Sequence, residues 1–321
     1  MNRIGRKFLA FVPGRRRVSA GLLLLLCAGW LPAGCGGVST LQQGTRRVTE
    51  AISFSRPHPK RVALLEVENR TFFNAAAVAE TFRTPFLEAL GGFCSDLSLT
   101  VPAEDGSPAG LANPPRQPSG RIDNLELAEI GRRYGVHAGI LLRDISVTAE
   151  ERPRGVLMFR NIVYDLSVRV RLEIYSMATG AKLADELLVR RQTVDWEEYD
   201  AVRTRVGRRV YELPGMMTAL SRQAAERACD AIRKEPWRAF VMEVDGNRGV
   251  LSSGREAGLA PGEILTLFAP GEIIEGRDGQ RFRIPGIRAG RVRVVEAYTG
   301  RAVIEPVGDE AISAGSTVGM D

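Results

Sequence analysis

The sequence has few of the residue types that most catalytic and metal sites require. Its 321 residues include two histidines and four cysteines. It contains no Walker A, GxGxxG, GxSxG or HExxH motif, and no CxxC pair or Cys/His spacing that would indicate a metal site. His58 falls in a polar segment, and a place in the core or at a strand end is the simpler interpretation of His137. We therefore predict that the protein is not an enzyme and uses no cofactor or metal.

Acidic residues are missing from one part of the chain, and this absence explains the net charge of +6. Residues 1–34 contain six basic residues and no acid, which leaves 38 basic against 38 acidic residues in the remainder. The body is therefore neutral, and we expect no nucleic-acid partner. With 44% hydrophobic and 26% charged residues, the chain has the composition of about two globular domains. This composition excludes disordered, collagen-like and polytopic membrane proteins.

The apolar run 18–30 follows a basic segment that ends at Arg17. A transmembrane helix needs about 20 apolar residues, so this run is too short to be one. Its length and its basic flank are typical of a bacterial signal peptide. We predict that residues 1–34 form such a leader.

The end of this leader resembles a bacterial lipobox. Ala33 and Gly34 are small, and they directly precede Cys35, whose thiol would receive the lipid. One departure is that Leu31 stands one place earlier than in the motif, with Pro32 in its position. We predict lipid attachment to Cys35, and ordinary secretion after cleavage near Ala33 is the alternative.

The predicted location bears on the remaining cysteines. Gly36 follows Cys35 where an aspartate would retain a lipoprotein in the inner membrane, so the sorting rule of lipoproteins favours the outer membrane. We expect a periplasmic protein anchored there by its lipid, with 35–60 as a polar tether. In the oxidising periplasm Cys94 and Cys229 can form one disulfide, and two small buried thiols are the alternative.

Segment 61–235 alternates between strand and helix patterns. A buried strand is predicted at 61–67, and a helix ended by Gly91-Gly92 follows on a stripe of apolar residues, Val78, Phe82, Phe86 and Leu90. A capping box that begins at Asp123 predicts a second helix. Strict alternation over 164–174 predicts a strand with one face on the core and one in water. We predict an α/β (α+β) domain with helices on one face of a mainly antiparallel sheet.

Segment 236–321 changes to short β-rich runs separated by turn sequences. Asp245-Gly246, Pro261-Gly262 and Asp278-Gly279 supply the turns, and no run has a helical pattern. We predict a small all-β barrel or sandwich.

Three segments of the first domain carry a resemblance: RVALLEVENRT (61–71), LAEIGRRYGVHAGILL (127–142) and VRLEIYSMATG (170–180). In order and spacing they are similar to a superfamily that includes the curli secretion channel lipoprotein, the TolB amino-terminal domain and the penicillin-binding-protein activator lipoproteins. This resemblance implies a TolB-like α/β fold over 61–235.

The second domain resembles the terminal domain of the flagellar assembly lipoprotein T family. The residues that carry this are GLAPGEILTLF (258–268), AGRVRVVEA (289–297) and AGSTV (314–318). That family joins a TolB-like domain to a small β-domain on an envelope-anchored chain, lacks catalysis and helps to build the basal-body collar. The resemblance implies an assembly or scaffold role with envelope proteins as partners, and it leaves homo-oligomerisation open.

The most pointed candidate surface is an acidic block at 195–200, which contains two aromatic residues and precedes a basic block. In this interpretation Trp196 and Tyr199 anchor a partner protein, and Arg203 and Arg205 bind it as well. The alternative is a charged loop or amphipathic connector whose aromatic residues cover the edge of the core.

Two other functions follow from the first resemblance. One is an oligomeric secretion-pore subunit, whose pore hairpins would correspond to 150–161 and 193–213. Neither segment has the alternating pattern of about 9–11 residues that a membrane strand needs, so we rank this function lower. The other is an activator of a cell-wall synthase. The loop 69–71 could also face a partner, although an ordinary strand-to-helix loop is the simpler interpretation.

Overall fold

A computed structural model of the protein describes residues 58–73, 75–102, 109–156, 160–206 and 210–320. These residues belong to one compact unit, Ser55–Asp321. The predicted leader, its Cys35 and most of the predicted tether lie outside the described residues.

The α/β part contains a five-stranded sheet in the order β2-β1-β3-β4-β5. Its elements are β1 (Lys60–Asn69), α1 (Ala75–Phe93), β2 (Leu97–Thr100), α2 (Ala109–Ala112), α3 (Asn124–Arg133), β3 (Ala138–Arg154), β4 (Asn161–Ser176), β5 (Lys182–Val194), α4 (Trp196–Arg203) and α5 (Glu212–Arg233). Strand β1 is parallel to β2 and β3, whereas β4 is antiparallel to β3 and β5. The sheet is therefore mixed: its longer pairings are antiparallel, and its pairings with β1 are parallel.

Apolar residues on both sides of β1 show that this sheet is covered on two faces. Val62 and Leu64 belong to a core shared with α1 and α5, whereas Ala63 and Leu65 belong to a second core that contains Leu127 of α3. The prediction that helices cover one face was wrong, because α3 packs on the opposite face from α1 and α5. Alternating burial along one strand is the reason a strand can serve two cores.

The helical patterns of the sequence form as expected, with shifted ends. The stripe of α1 is buried at Val78, Phe82, Phe86 and Leu90. This helix continues through Pro85 and ends at Phe93, just beyond the two glycines that were predicted to stop it. At α3 the Asp123 side chain accepts a hydrogen bond from the Glu126 backbone N–H at 3.1 Å, as the capping box predicts. Gly135, at φ +64°, follows the helix end.

Strands β3 and β4 form a long antiparallel hairpin. Their register runs from Ala138 opposite Ser176 to Arg154 opposite Asn161. The sequence Pro153-Arg154-Gly155 predicts a turn, but Pro153 lies within a strand, opposite Ile162. The pairing with β4 carries the chain past the sequence signal for a turn.

The predicted small barrel is confirmed as a closed six-stranded barrel. Its strands are β6 (Arg238–Asp245), β7 (Arg248–Leu251), β8 (Ile264–Phe268), β11 (Arg288–Ala297), β12 (Ala302–Pro306) and β13 (Thr317–Gly319), and a separate hairpin pairs β9 (Ile273–Glu275) with β10 (Arg281–Arg283). The barrel order is β11-β12-β7-β6-β13-β8. Two short 3-10 helices, Arg255–Ala257 and Arg277–Gly279, depart from the expectation of no helix.

The barrel packs directly on the α/β part. Trp237, which is 8% exposed, stacks near His58 and His137 at centroid distances of 4.9 and 5.9 Å. Arg61 donates to the Glu256 carboxylate at 2.7 Å across the same boundary. The last residues of the predicted tether, from His58 onward, are therefore part of this packed boundary.

Candidate interaction surface

The acidic block forms helix α4 and not a loop. Asp195 precedes the helix, and its carboxylate accepts a hydrogen bond from the Glu198 backbone N–H at 2.9 Å. The helix ends where the Thr204 N–H bonds the Asp200 carbonyl at 2.8 Å. An aspartate at this position satisfies a free N–H and interacts favourably with the helix dipole. The segment is thus an amphipathic helix.

Three aromatic side chains meet where α4 covers the hairpin. The Tyr164 ring lies 5.1 Å from that of Trp196 and 4.7 Å from that of Tyr199, and the rings of Trp196 and Tyr199 are 5.4 Å apart. Such spacings are typical of favourable aromatic pairs. The cluster ties the end of the hairpin to the helix.

The two predicted anchors differ in exposure. Tyr199 is 4% exposed, and its hydroxyl donates to the Glu151 carboxylate at 2.9 Å. Burial and this carboxylate raise the pKa of Tyr199. Trp196 is 49% exposed, so half of its indole is free to contact another molecule. Tyr199 therefore positions Trp196, and Trp196 is the residue that a partner can reach.

Arg203 and Arg205 lie at the other end of α4 and border an open groove of about 490 Å³. The groove also contains Arg70 and Thr71, so the structure brings together the basic block and the 69–71 loop. Arg203 pairs with Asp200 at 2.7 Å, and Arg70 pairs with Asp144 at 2.8 Å. Arg205 has φ +56° and is exposed. The groove therefore presents three guanidinium groups at one end of a helix whose other end presents a tryptophan.

Exposed apolar residues extend this surface along the hairpin. Ile162 is 58% exposed and lies two residues from Tyr164, on the same side of β4. Val156, just beyond the last paired residues, is 75% exposed. We use the name α4 surface for Val156, Ile162, Trp196, Arg203 and Arg205.

The two cysteines of the body are joined in the structure. Cys94, directly after α1, and Cys229 of α5 form a disulfide with their Cα atoms 5.9 Å apart. This separation is ordinary for a disulfide. Both residues are buried in the core that α1 and α5 share.

His137 is held between the two parts of the molecule. Its Nδ1 accepts a hydrogen bond from the Arg61 N–H at 3.0 Å. Burial, with the nearby charges of Lys60 and Arg61, lowers the pKa of His137 to about 4. The ring is therefore neutral at pH 7. His58 Nε2 lies 2.9 Å from a carboxylate oxygen of Glu263 in the barrel.

Three buried carboxylates were not anticipated from the sequence. Asp165 accepts hydrogen bonds from Arg152 at 2.6 Å and Thr193 at 2.7 Å, and the bond from Arg152 lowers its pKa. Glu173 accepts from the Tyr175 hydroxyl at 3.0 Å. Glu198 accepts from the backbone N–H groups of Tyr211 and Glu212.

A pattern of charges could have revealed the first two of these carboxylates. Asp165 and Glu173 occupy alternate positions of β4, which the period-two pattern assigned to water. The neighbouring strands place arginine and lysine beside them: Arg152 with Asp165 and Lys182 with Glu173. Opposite charges on paired strands were the available signal.

Within the described ranges, no group of three or more His, Cys, Asp or Glu side chains could hold a metal ion. Among the helices that the structure describes, none is long and apolar enough to cross a membrane.

Comparison with known proteins identifies no family. No protein-family model matches the chain, and no curated protein matches it. Similar solved structures include the hypothetical protein CT253 of Chlamydia trachomatis, at 16% identity and a TM-score of 0.35, which covers 55% of this chain and 99% of that one. Lipoprotein GNA1162 of Neisseria meningitidis is similar at 10% identity and a TM-score of 0.24, covering 50% and 93%.

Proposed function

We propose that this protein is a non-enzymatic envelope lipoprotein that acts as an assembly scaffold and binds another envelope protein through its α4 surface. The observation that carries the proposal is the half-exposed Trp196, held in place by the buried Tyr199 and the half-buried Tyr164. A large aromatic side chain fixed in one orientation loses little entropy on binding, and tryptophan is enriched among residues that dominate interfaces.

The arginines at the far end of α4 from Trp196 favour a protein partner with an acidic edge. Arg203 and Arg205 lie at the end of α4, and Arg205 is exposed. Arginine is enriched in interfaces because its planar guanidinium forms bidentate hydrogen bonds with carboxylates. The partner we infer offers an apolar pocket for Trp196 and carboxylates for the arginines.

The proposal that the protein is not an enzyme is supported by how its buried ionisable groups are used. Asp165 binds Arg152 and Thr193, Glu198 binds two backbone N–H groups, and His137 accepts from a backbone N–H. Each of these groups holds a structural bond.

The envelope location is proposed from the leader. A lipid on Cys35 would hold the protein at the periplasmic side of the outer membrane. Replacing Cys35 by alanine should release the protein from the membrane fraction and abolish its labelling with a radioactive fatty acid. If the C35A protein fractionates with the membrane as the natural protein does, the anchor is elsewhere.

The scaffold function is tested by site-specific photo-crosslinking in cells. A photoreactive phenylalanine at position 196 should trap one discrete partner, whereas the same group at Tyr298, which is 44% exposed on the barrel, should not. Charge reversal of Arg203 and Arg205 to glutamate should reduce the trapped product. Equal products from positions 196 and 298, or no effect of the charge reversal, would contradict the proposed surface.

The sequence resemblance suggests a flagellar collar as the machine that is assembled. Deletion of the gene should then abolish motility while cell-wall synthesis stays normal. Normal motility in the deletion strain would redirect the proposal to another envelope complex.

A further inference from the structure

A second cavity lies where the barrel meets the α/β part. It has a volume of about 260 Å³ and is lined by residues that include Arg132, Leu183, Arg238, Phe268, Arg283 and Ile284. These come from α3, β5, β6, β8 and the β9–β10 hairpin region. We call it the arginine cleft. Its lining combines three guanidinium groups with apolar walls.

Arg132 is the most deeply buried of the three arginines, at 7% exposure. Its guanidinium donates to the Gly315 carbonyl at 2.7 Å and lies 4.8 Å from the centre of the Phe240 ring. Burial and the nearby charge of Arg283 lower the pKa of Arg132 to about 10, so it stays charged at pH 7. No carboxylate among the described residues forms an ion pair with it. Its charge interacts with carbonyl oxygens, with the Phe240 ring and, at longer range, with Glu129.

Arg238 has an unused hydrogen-bond donor. Its guanidinium carbon lies 3.8 Å from the centre of the Phe268 ring, and its Nη1 is buried without an acceptor among the residues that the structure describes. Because Nη1 has almost no exposed surface, an anion in the cleft would have to bind the Arg238 guanidinium at its other nitrogens. Stacking on Phe268 holds the plane of the group, which prepares it for a planar acceptor such as a carboxylate.

The third arginine is partly paired, which leaves the cleft with excess positive charge. Arg283 donates to the Gly271 carbonyl at 3.1 Å and lies 3.5 Å from a carboxylate oxygen of Glu129. Glu235 is the one acidic residue in the lining, and within the described chain it makes no ion pair with these arginines. The cleft therefore attracts an anion.

We propose that the arginine cleft binds the carboxyl-terminal residue of a partner polypeptide, with its carboxylate on Arg238 and its apolar side chain against Phe268 and Ile284. In a terminal residue the carboxylate and the side chain share one Cα. The short distance between that carboxylate and that side chain matches the short distance between the Arg238 guanidinium and the Phe268 ring on which it stacks. The cleft is slightly smaller than the about 300 Å³ at which small-molecule sites begin, so it has room for the end of a chain. Inorganic phosphate would leave the apolar walls without a contact.

The test is a titration of the full chain followed by NMR, using the side-chain Nε–Hε signals of the arginines. The probe is acetyl-Ala-Ala-Leu with a free carboxylate, and the comparison ligands are its carboxyl amide, acetyl-Ala-Glu-Leu amide and inorganic phosphate. We expect the free-carboxylate peptide to shift the signals of Arg132, Arg238 and Arg283 at millimolar concentration. The amide should not shift them, and the internal acid and phosphate should need higher concentrations.

Variants assign the binding to the cleft. R238Q should weaken binding of the free-carboxylate peptide by about tenfold, because a charge-assisted hydrogen bond is lost. R238K keeps the charge but loses the planar group, so we expect an intermediate loss. R248Q, which removes an exposed arginine from β7, is the matched control and should bind like the natural protein. If R238Q fails to fold, the test is the peptide titration of R283Q, which should also bind more weakly, together with the signal shifts of the natural protein.

Several outcomes would overturn the proposal. One is that the carboxyl amide binds as tightly as the free-carboxylate peptide. Another is that R248Q weakens binding of the peptide as much as R238Q does. A third is that phosphate binds more tightly than the peptide. Tighter binding of the internal glutamate peptide would also overturn it, in favour of an acidic side chain as the occupant. None of these results would bear on the α4 surface, whose crosslinking test is separate.

Discussion

At the scale of single residues, Lys60 shows how a buried charge is used in this protein. Its Nζ donates to the carbonyl oxygens of Ile232, Arg233 and Glu235 at the end of α5. The last carbonyls of a helix lack partners within the helix and carry a partial negative charge. Burial lowers the pKa of Lys60, and the nearby carboxylates oppose this shift. One lysine thus fixes the start of β1 to the end of the longest described helix.

His137 makes the stability of the protein depend on pH. Its pKa is about 4 in the folded protein, against an ordinary value of 6.5 when unfolded. Between these values the unfolded chain takes up a proton that the folded protein does not, so stability is lost as the pH falls from 6.5 to 4. We expect a loss of about 3 kcal/mol from this residue over that interval. Urea unfolding followed by circular dichroism across the interval measures it.

The H137N variant separates this contribution from that of the carboxylates, which titrate in both proteins. Asparagine can accept the hydrogen bond from the Arg61 N–H in place of Nδ1, but it does not titrate. The unfolding free energy of H137N should therefore fall less steeply with acid than that of the natural protein. Parallel curves for the two proteins would show that His137 is not the group responsible.

At the scale of elements, local patterns predicted those parts whose structure depends on neighbours in sequence. The α1 stripe, the Asp123 cap and the long alternation in β4 have their signals within about ten residues. The ends of β3 depend instead on pairing with β4, which overrides the turn signal at Pro153. β13 has three residues and forms only because β6 and β8 flank it. A strand of three residues is too short to show an alternating pattern in the sequence.

The candidate surface was predicted in part for the same reason. The residue types of 195–205 marked a place for a partner, and the helix cap at Asp195 is local. The difference between Trp196 and Tyr199 depends on Glu151, which reaches Tyr199 from β3. The arginine cleft was not foreseen, because Arg132 lies more than 100 residues before Arg238 and Arg283 and meets them only after the barrel has packed.

The disulfide between Cys94 and Cys229 links the end of α1 to α5 at a sequence separation of 135. A cross-link over so long a loop restricts the unfolded chain strongly. The C94A/C229A double variant should therefore lose about 2–5 kcal/mol of unfolding free energy, measured in urea. The natural protein treated with a reductant should match the variant.

Alkylation supplies the independent check. In denaturant without reductant, Cys94 and Cys229 of the protein isolated from its native cells should not react. Reaction of both thiols under these conditions would show two free cysteines, which was the alternative considered from the sequence.

At the scale of the whole molecule, hydrogen bonds and ion pairs join the barrel to the α/β part around α3. Asn124 donates to the Arg281 carbonyl at 2.6 Å, and the Arg283 N–H donates to the Thr179 carbonyl at 2.8 Å. Trp237 is buried where the two parts meet. We therefore expect the barrel and the α/β part to move together. This packing would keep the α4 surface and the arginine cleft at a constant separation.

Gly135 is the position where this packing is tightest, and it gives the sharpest test of a single cooperative unit. A Cβ at Gly135 would overlap the Ser252 carbonyl oxygen of the barrel, and its φ of +64° also disfavours alanine. Gly246 has a similar φ of +56° and open space around it. G246A should therefore cost about 1 kcal/mol from backbone strain alone. G135A should cost about 2 kcal/mol more, because the barrel must shift to make room.

The two alanine variants should also differ in the shape of their unfolding curves. We expect the natural protein and G246A to unfold in one transition, since the interface couples both parts. G135A should show two transitions in calorimetry, because a loosened interface lets the barrel and the α/β part unfold separately. The strain of the left-handed backbone is common to both variants, so it cancels in the comparison. Equal losses and single transitions in both variants would mean that contact at Gly135 does not couple the two parts.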